Sequence, residues 1–417
     1  ARLSDAMFFW QSDLAHEFGP EKLKNITYLK ELGSIYEKEL RELQVAKKLA
    51  SNYDELLKKE AGEYATKLER AVMLSKADLT TQMVYEFTEL QGIMGAYYAK
   101  AKNEDEDVVL AIKEQYLPDS VGSINSLTIV MDPQLWGGVV GDSLREYFAS
   151  PVEEIAGARE PLFDIQQIPL EVFDGMTRAG RNILIVSTDT RNGFDIRDSL
   201  YAKPQKVAFI IGQTTDDLIS EIQKYAPKII HTFKENEMQE VRNRFQNTLN
   251  NTKLIENTLG IQLSFPSLYN IVKQENNFFW LERKVKNGTA DILIYEVPKG
   301  KICTHSNLCS EDIIQMRDSI GKRYVPGPQE GMYMITSPAF APTYTKTQLN
   351  GYPTIVSKGL WEVKDFILGG PFSNYIIEDP KRDRCVVIEG FIAAPGTSKR
   401  DLLFELETII KSVRFIY

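Results

Sequence analysis

One short cluster of cysteine and histidine residues is the only place where the sequence collects possible metal ligands at close spacing. It comprises Cys303, His305 and Cys309. Closed zinc sites use four ligands, generally in closely spaced pairs. Cys385 would have to supply the fourth ligand from a distant position in the chain. The spacing therefore favours isolated thiols in a turn over a zinc site, and we predict no metal.

Four further side chains have types that suit ligand binding. Trp136 precedes a glycine pair and could line a mouth beside a helix, and Arg145 and Arg181 could bind an anion. Trp361, which lies before a Gly-Gly-Pro turn, is the best candidate for a pocket residue. Each also has an ordinary interpretation: an aromatic anchor, a salt-bridged arginine, or a core tryptophan. No phosphate-binding loop, dinucleotide fingerprint or nucleophile elbow occurs, so we predict no cofactor and no catalytic residue.

Length and charge restrict the classes of protein to consider. A chain of 417 residues fits two or three domains. Residues 1–118 contain 16 Lys+Arg and 21 Asp+Glu, which gives −5, and −4 remains for the other residues from the total of −9. Neither part has the basic excess that favours nucleic-acid binding. No apolar run is long enough to span a bilayer, and three cysteines cannot form a disulfide framework.

Residues 1–118 have the apolar periodicity of an all-helical domain. Leu29, Leu32, Tyr36, Leu40 and Leu43 form one helical stripe. Further helices are predicted over residues 64–74, 79–100 and 107–115. Pro118 follows the last of them and prevents its continuation.

Several sequence blocks give this helical part a family resemblance. The blocks occur in order at Arg2–Phe9, Leu32–Ser34, Leu74–Thr80, Glu86–Gly95 with Tyr97–Ala99, and Tyr116–Pro118. Together they resemble the central helical region of the bacterial glycyl-tRNA synthetase beta subunit. The sequence departs from that family at Thr88 and Ala96, where Pro and Arg are usual. The family's large N-terminal region and its anticodon-binding domain have no counterpart here.

This resemblance implies binding to RNA and protein rather than catalysis. Its expected partners are the glycyl-tRNA synthetase alpha subunit, which performs the chemistry in that family, and glycine tRNA. The region is also related to HD-type phosphohydrolases, and Asp78 stands where a metal-binding aspartate would lie, beside Lys76. His16 is the one histidine of this part and no His-Asp pair accompanies it, so we interpret Asp78 as a helix-end or hydrogen-bonding residue.

Residues 119–417 have the pattern of a mixed α+β region with mostly antiparallel sheet. Strands are predicted at residues 126–131, 163–168, 181–187 and 206–211. A long helix follows, which we expect Thr215 to cap and Pro227 to interrupt. The order strand, short helix, strand recurs over residues 261–297, with the helix near 267–274. This recurrence indicates a duplicated ferredoxin-like unit. We therefore predict three domains, at 1–118, 119–258 and 259–417.

The second part also resembles a known family, on a separate set of blocks. These are Val121–Asp132, Trp136, Val140–Arg145, Glu160–Phe163, Arg181–Leu184, Tyr324–Met334, Gly359–Val363 and Gly369–Phe372. They are similar to an uncharacterised bacterial domain of unknown function, usually found as a lipid-anchored envelope protein. The resemblance implies a cell-envelope location and an unknown ligand, whereas the N-terminal resemblance implies the cytoplasm.

The two resemblances meet within Gln115–Ile124, with only Asp119 and Ser120 between their motifs. We therefore interpret the chain as composite: a truncated synthetase beta-subunit fragment joined to a domain of unknown function, without autonomous catalysis. The alternatives are a synthetase-associated protein that binds tRNA or the alpha subunit, an envelope binding or structural protein with an adventitious or engineered helical leader, and a hydrolase.

Overall fold

A computed structural model describes residues 2–57, 61–115, 117–152, 160–302 and 310–417. The chain forms two compact units. The first unit comprises residues 1–120 with 201–203, and the second comprises 121–200 with 204–417. Within the described ranges, no helix combines the length and apolar character that crossing a membrane requires.

The first unit is built from helices, as its periodicity predicts. Its described α-helices are α1 (Arg2–Leu14), α2 (Ile35–Leu57), α3 (Ala61–Leu74), α4 (Gln82–Glu86), α5 (Ile93–Ala101) and α6 (Glu106–Gln115). A short hairpin of β1 (Thr27–Leu29) and β2 (Gly33–Ser34) precedes α2. The core includes the buried side chains of Leu74, Tyr98 and Ile112, and Trp10 stacks on Tyr98 with ring centroids 4.9 Å apart.

The predicted single helix over residues 79–100 is wrong. The structure divides it into short 3-10 turns, α4 and α5. Gly92 has a φ of +82°, a left-handed conformation that an α-helix cannot contain and that glycine adopts without a steric penalty. Thr81 caps α4 by accepting a hydrogen bond from the Val84 N–H, which begins a new helix in the middle of the predicted one.

The second unit begins with a five-stranded sheet flanked by helices. Its strands are β3 (Ser126–Val130), β4 (Asp164–Ile168), β5 (Asn182–Thr188), β6 (Gly193–Asp198) and β7 (Lys206–Gly212). The helices are α7 (Pro133–Trp136), α8 (Val139–Phe148) and α9 (Thr215–Phe245). The strand order is β4-β3-β5-β7-β6, and every pairing except β6 with β7 is parallel.

Helix α9 differs from its predicted form in two ways. Thr214, rather than Thr215, caps the helix, and its side chain forms a capping box with Asp217. The helix also continues through Pro227 and ends at Phe245. A proline removes one backbone donor, which costs the helix one internal hydrogen bond. The side chains of Ile222, Ala226 and Ile229 are fully buried on either side of that position, so packing against the sheet offsets the loss.

The remainder of the second unit forms an antiparallel sheet of eight described strands. The helices are α10 (Lys253–Leu259), α11 (Ser310–Tyr324) and α12 (Arg400–Ile410). The strands are β8 (Ile261–Gln262), β9 (Asn270–Glu275), β10 (Phe278–Val285), β11 (Gly288–Pro298), β12 (Met334–Thr336), β13 (Thr343–Leu349), β14 (Tyr352–Val363), β15 (Phe366–Glu378), β16 (Arg384–Ala393) and β17 (Arg414–Phe415). The sheet order is β12-β14-β15-β16-β11-β10-β9, with β13 beside β14, while β8 and β17 pair separately.

Strand β16 shows how this sheet separates two cores. Val386 and Ile388 face one core, which α12 covers, while Val387 and Phe391 face the other. Side chains alternate between the faces of a strand, so a strand buried along nearly its whole length requires a cover on each face.

The ferredoxin-like duplication is not confirmed, although helices followed by an α+β region are present. The first sheet of the second unit is mainly parallel, whereas the second is antiparallel, so the two halves differ in topology. The predicted helix near residues 267–274 is a strand, β9. A strand buried on both faces has the same apolar run in a parallel or an antiparallel sheet, so the sequence pattern could not distinguish them.

Candidate functional site

Asp78 is fully buried in the first unit and serves as an acceptor for backbone amides. Its Oδ2 accepts hydrogen bonds from the N–H groups of Gly92, at 2.5 Å, and Gly95, at 3.1 Å. Burial raises the pKa of this carboxyl above its usual range, against the lowering effect of those two donors. The Asp78 carboxyl group therefore caps the start of α5 by accepting hydrogen bonds from its backbone N–H groups.

Lys76 lies two residues earlier and is half-buried. Burial lowers the pKa of its ammonium group, and the neighbouring charge of Lys38 lowers it further. The charge of Lys76 in turn lowers the pKa of the Asp78 carboxyl. The structure therefore places these two predicted residues close enough for their charges to interact, and Asp78 contacts the start of α5.

Trp136 and Arg145 form a second pair, at the junction of α7 and α8. The Arg145 guanidinium lies 4.4 Å from the centre of the Trp136 ring, and it donates to the Trp136 carbonyl oxygen at 3.3 Å. A salt bridge to Asp142, at 2.7 Å, holds the arginine in place. A Cβ atom on Gly141 would lie 1.9 Å from the Trp136 carbonyl oxygen, so the junction requires glycine there. This arginine holds the tryptophan by cation–π contact.

Arg181 lies buried between β5 and α9, where its guanidinium pairs with Glu237. Its Nε donates to Glu237 Oε1 at 2.8 Å, and its Nη2 donates to the backbone carbonyl oxygens of Gly122 and Ser123. Both members of the ion pair are at most 2% exposed. Through Arg181, these hydrogen bonds connect the backbone of Gly122 and Ser123 to α9.

Trp361 is a core residue of the antiparallel sheet. Its indole Nε1 donates to the Ile392 carbonyl oxygen at 3.2 Å, and its ring meets Phe391 edge to face at 5.3 Å. Only 3% of the residue is exposed. The side chain thus contributes to packing between β14 and β16.

The six predicted residues therefore do not form a common site. Lys76 lies beside Asp78 and Trp136 contacts Arg145, whereas Arg181 and Trp361 belong to separate buried clusters. The cysteine–histidine cluster at 303, 305 and 309 lies outside the described residues. Within the described ranges, no group of three or more His, Cys, Asp or Glu side chains could hold a metal ion.

An apolar groove runs along the surface of the first unit. This helical groove, of about 530 Å³, is lined by α2, α3 and Ala111 of α6. Val45 and Leu49 of α2 line it and are 60% and 55% exposed. Leu68 and Val72 of α3 contribute the facing wall. Two exposed aliphatic side chains on one helix face leave apolar area in water that a partner would cover.

The second unit contains an interhelical cavity of about 440 Å³ between α9 and α12. Pro227, Ile230, Lys234 and Met238 line it from α9, at the three- and four-residue spacing of one helix face. Leu403, Phe404 and Glu407 line it from α12 at the same spacing. The two helix faces thus pack together while leaving a space between them.

Lys234 is a lining residue of the interhelical cavity whose charge is perturbed by its surroundings. Its ammonium donates to Asn125 Oδ1 at 2.7 Å and to the Leu162 carbonyl oxygen at 2.6 Å, and it lies 4.2 Å from the centre of the Phe163 ring. Burial, with help from the nearby charge of Arg400, lowers the pKa of Lys234 to about 8. These neutral acceptors hold the lysine against the first sheet.

Sequence reasoning missed both the helical groove and the interhelical cavity. A lysine on a long helix is usually solvated, and nothing local distinguishes Lys234 from its neighbours. The opposite wall is formed by α12, more than 150 residues further along the chain, so no short motif could have indicated the cavity.

Three family matches divide the chain. Residues 1–129 match the glycyl-tRNA synthetase beta subunit family. Residues 120–246 and 248–412 match two families, each described as a domain of unknown function. The first two matches overlap at residues 120–129, where the sequence resemblances also meet.

The curated relatives that match the chain include several glycine–tRNA ligase beta subunits. The glycine–tRNA ligase beta subunit of a Sulfurihydrogenibium species is 49% identical over 122 residues, which is 28% of this chain and 17% of the relative. The Bacillus subtilis beta subunit is 37% identical over 205 residues, or 48% of this chain and 27% of the relative. The Trichodesmium erythraeum protein is 33% identical over 237 residues, or 56% and 30%. The chain thus spans less than a third of each of these relatives.

Solved structures are only remotely similar. The Saccharomyces cerevisiae Ran-binding protein Mog1p aligns with 38% of this chain and 90% of its own, with 10% identity and a TM-score of 0.27, too low to support any structural argument. The sequence matches are specific. The N-terminal part of this chain is a partial match to the glycyl-tRNA synthetase beta subunit family, and it is joined to two consecutive domains of unknown function.

Proposed function

We propose that this chain is a composite binding protein without autonomous catalysis, whose helical unit packs against the glycyl-tRNA synthetase alpha subunit. The partner follows from the beta-subunit match of residues 1–129. The chain covers only 17% of the Sulfurihydrogenibium beta subunit, so the partner of the whole synthetase is a hypothesis for this chain.

The helical groove is the observation that carries this proposal. Val45 and Leu49 are more than half exposed and lie on one face of α2, opposite apolar side chains of α3. Burying apolar surface contributes about 25 cal/mol per Å², so covering this groove with an apolar helix face would stabilise a complex. Helix-in-groove binding of this kind needs no polar chemistry on the groove floor.

The charges of the helical unit favour a protein partner over tRNA. Several of its basic side chains pair with carboxylates: Lys47 with Glu69 at 2.7 Å, Lys67 with Asp107 at 2.8 Å, and Arg70 with Glu104 at 2.5 Å. Binding to tRNA requires Lys and Arg side chains that neutralise its phosphates and displace the counterions around the RNA. Residues 1–118 also have a net charge of −5, from 16 Lys+Arg and 21 Asp+Glu.

Asp78 supports the absence of autonomous catalysis in this unit. A metal-binding or general-base carboxylate needs an accessible oxygen, whereas its Oδ2 accepts two backbone hydrogen bonds and the residue is fully buried. We interpret Lys76 and Asp78 as the support of a helix start, and Trp136, Arg145, Arg181 and Trp361 as structural residues of the second unit.

The proposed division of the chain keeps three parts, 1–118, 119–258 and 259–417. The family matches that meet at residues 120–129 support the first boundary. The other two matches meet between residues 246 and 248, directly after α9, somewhat before the boundary predicted at 258. Both later parts contribute walls to the interhelical cavity, so we expect them to act together.

The test is binding of the full chain to a purified bacterial glycyl-tRNA synthetase alpha subunit, measured by isothermal titration calorimetry. Leu49→Glu places a charge in the helical groove and is expected to weaken the complex at least tenfold, since desolvating that charge opposes binding. Leu32→Glu is the matched control, because Leu32 is 49% exposed and does not line the groove.

Equal weakening by both substitutions, or no binding of the unsubstituted chain, would exclude the groove as the docking surface. Glycine tRNA is titrated in parallel across a salt series. Binding to the tRNA that weakens steeply with salt, and that Leu49→Glu does not change, would instead identify the unit as a tRNA-contact fragment.

A further inference from the structure

A second cavity of the second unit collects positive charge without negative charge. This basic cavity, of about 410 Å³, lies where the end of α9 meets the segment that follows α12. Its charged lining residues are Arg242, Lys411 and Arg414, and none of the lining residues that the structure describes is an aspartate or glutamate. Gln246, Gln262 and Asn350 add carboxamide groups to the wall.

Arg242 has an unused donor in this cavity. Its Nε is buried and has no hydrogen-bond partner among the described residues. A buried guanidinium donor without an acceptor costs free energy, and native structures generally supply an acceptor for such a group. The α9 residue two positions later differs: Arg244 donates to Glu240 at 2.8 Å and to the Gly122 carbonyl oxygen at 3.1 Å.

Lys411 is also poorly compensated. Its Nζ approaches the Met238 sulfur at 3.8 Å, and a thioether is a weak acceptor. Its charge helps to lower the pKa of Glu407, but that carboxylate forms its short ion pair with Lys358, at 2.7 Å. Within the described ranges, neither Arg242 nor Arg414 has a carboxylate within 4 Å.

The ends of two helices explain only part of this arrangement. Helices α9 and α12 finish at Phe245 and Ile410, and the partial negative charge at a helix C-terminus favours cations such as Arg242 and Lys411. That effect amounts to about 0.3–1 kcal/mol at an exposed site, and it gives the Arg242 Nε no acceptor. An anion in the cavity would supply the negative charge that these cations lack.

The wall of the cavity is held in place before any ligand binds. Asn350 Nδ2 donates to the carbonyl oxygens of Lys411, at 3.0 Å, and Val413, at 2.8 Å. The Ser264 N–H donates to Ser412 Oγ at 2.8 Å. These bonds tie the segment after α12 to the β-rich part of the unit. Donors that are already ordered lose less conformational entropy on binding.

We propose that the basic cavity binds the phosphate group of a phosphate monoester. Three positive charges match a dianion, and the planar guanidinium groups of Arg242 and Arg414 suit the tetrahedral oxygens of phosphate. The volume exceeds that of a bare phosphate, so a small organic group also fits. The carboxamides of Gln246 and Gln262 supply neutral donors for such a group.

The site exists only where two family regions meet. Arg242 and Gln246 belong to the 120–246 match, whereas Gln262, Asn350 and Lys411 belong to the 248–412 match. The two domains of unknown function would therefore share one ligand.

The test is isothermal titration calorimetry of the full chain with glycerol phosphate, inorganic phosphate and sulfate, at constant ionic strength set by sodium chloride. Saturable binding is expected for both phosphates, tighter for the monoester. Arg242→Gln is expected to weaken this binding about tenfold or more, because it removes a charge and a charge-assisted donor. Arg244→Gln is the matched control on the same helix and is expected to leave the affinity within about twofold.

Lys411→Gln provides a second variant if Arg242→Gln disturbs folding, which circular dichroism would detect. It removes a charge at a half-buried side chain, and the same tenfold weakening is expected. Equal affinities for sulfate and the two phosphates, or no saturable binding of any of them, would overturn the phosphate assignment. So would equal weakening by Arg242→Gln and Arg244→Gln, or unchanged affinity in Lys411→Gln.

Discussion

The second unit buries two complete arginine–glutamate pairs, whereas several ion pairs of the first unit lie at its surface. Arg181–Glu237 and Arg317–Glu389 are each at most 3% exposed, while Lys47 and Glu69 are both about half exposed. A buried charge is tolerated only beside its partner, because desolvation is costly. The stability of the second unit thus depends on exact pairing. The first unit depends on backbone caps and apolar packing.

The two units also differ in the chemistry of their candidate binding surfaces. The helical groove presents aliphatic side chains, and the basic cavity presents three cations without a carboxylate. An apolar groove suits a helix of a protein partner, whereas a cationic cavity suits an anion. This difference indicates that the two parts of the chain serve separate ligands.

The largest expected effect is on the buried pair of the second unit. Glu237→Gln leaves the Arg181 guanidinium buried without a neutralising carboxylate, and we expect a loss of about 3–5 kcal/mol in the free energy of unfolding. Hydrogen exchange should speed up in the second unit and stay unchanged in α1 to α6. Glu235→Gln, at an exposed position of the same helix, should change stability by less than about 0.5 kcal/mol. Similar small effects from both substitutions would remove the contrast between the units.

A smaller effect is expected from the cap in the first unit. Asp78→Ala removes the acceptor of the Gly92 and Gly95 N–H groups, and we expect destabilisation by about 2 kcal/mol. The readout is faster hydrogen exchange in α5 with unchanged exchange in the second unit. Asp78→Asn retains an acceptor oxygen and should cost less. Faster exchange in both units would show that the units do not unfold separately.

The third effect depends on pH and concerns a carboxyl of the second unit that lacks a cationic partner among the described residues. Asp291 is fully buried, and its carboxyl accepts from Trp280 Nε1 at 2.8 Å. Burial raises the pKa of Asp291 to about 7. The native state thus retains a proton that the unfolded chain releases near pH 4, so stability falls between about pH 4 and 7.

Asp291→Asn should therefore raise the free energy of unfolding at pH 8 by about 1–2 kcal/mol and give no gain at pH 4. Urea denaturation at the two pH values measures this difference. Glu330→Gln, at an exposed position of the same unit, serves as the control without pH dependence. A gain of equal size at both pH values would indicate a packing effect instead of titration.

The smallest effect is expected at the surface of the first unit. Glu69→Gln breaks the ion pair with Lys47, whose atoms are 2.7 Å apart, and should cost at most about 0.5 kcal/mol. The loss should disappear in 1 M salt, because exposed charges are screened. A loss above about 2 kcal/mol would mean that this pair is as important as the buried pairs of the second unit.

Much of the secondary structure could be predicted from local patterns. The strands predicted at 126–131 and 206–211 and the helix predicted at 107–115 were found within a residue of their predicted limits. The alternation of apolar and polar residues and the positions of turn residues depend only on the local sequence, so they can be recognised without tertiary contacts. The break of the predicted 79–100 helix could not be foreseen, because it depends on Asp78 reaching the amides of Gly92 and Gly95.

The candidate sites show a similar limit. Arg181, Trp136 and Trp361 were named as candidate binding residues with an ordinary structural alternative, but their contacts with Glu237, Arg145 and Ile392 become evident only in three dimensions. The three cations of the basic cavity come from α9, from the residue directly after α12 and from β17. Residue type indicates what chemistry is possible, and spatial neighbours decide whether it is used.

The sequence by itself determined the composite character of this chain, the helical nature of its first part and the mixed nature of its second. Family motifs and periodicity depend on residues that are neighbours in the sequence, so they can be recognised without a structure. The parallel pairing of the first sheet, the interhelical cavity and the clustering of Arg242 with Lys411 were decided only by the tertiary structure. Strand direction and the contacts of distant helices follow from how the cores pack, and short segments carry no record of that packing.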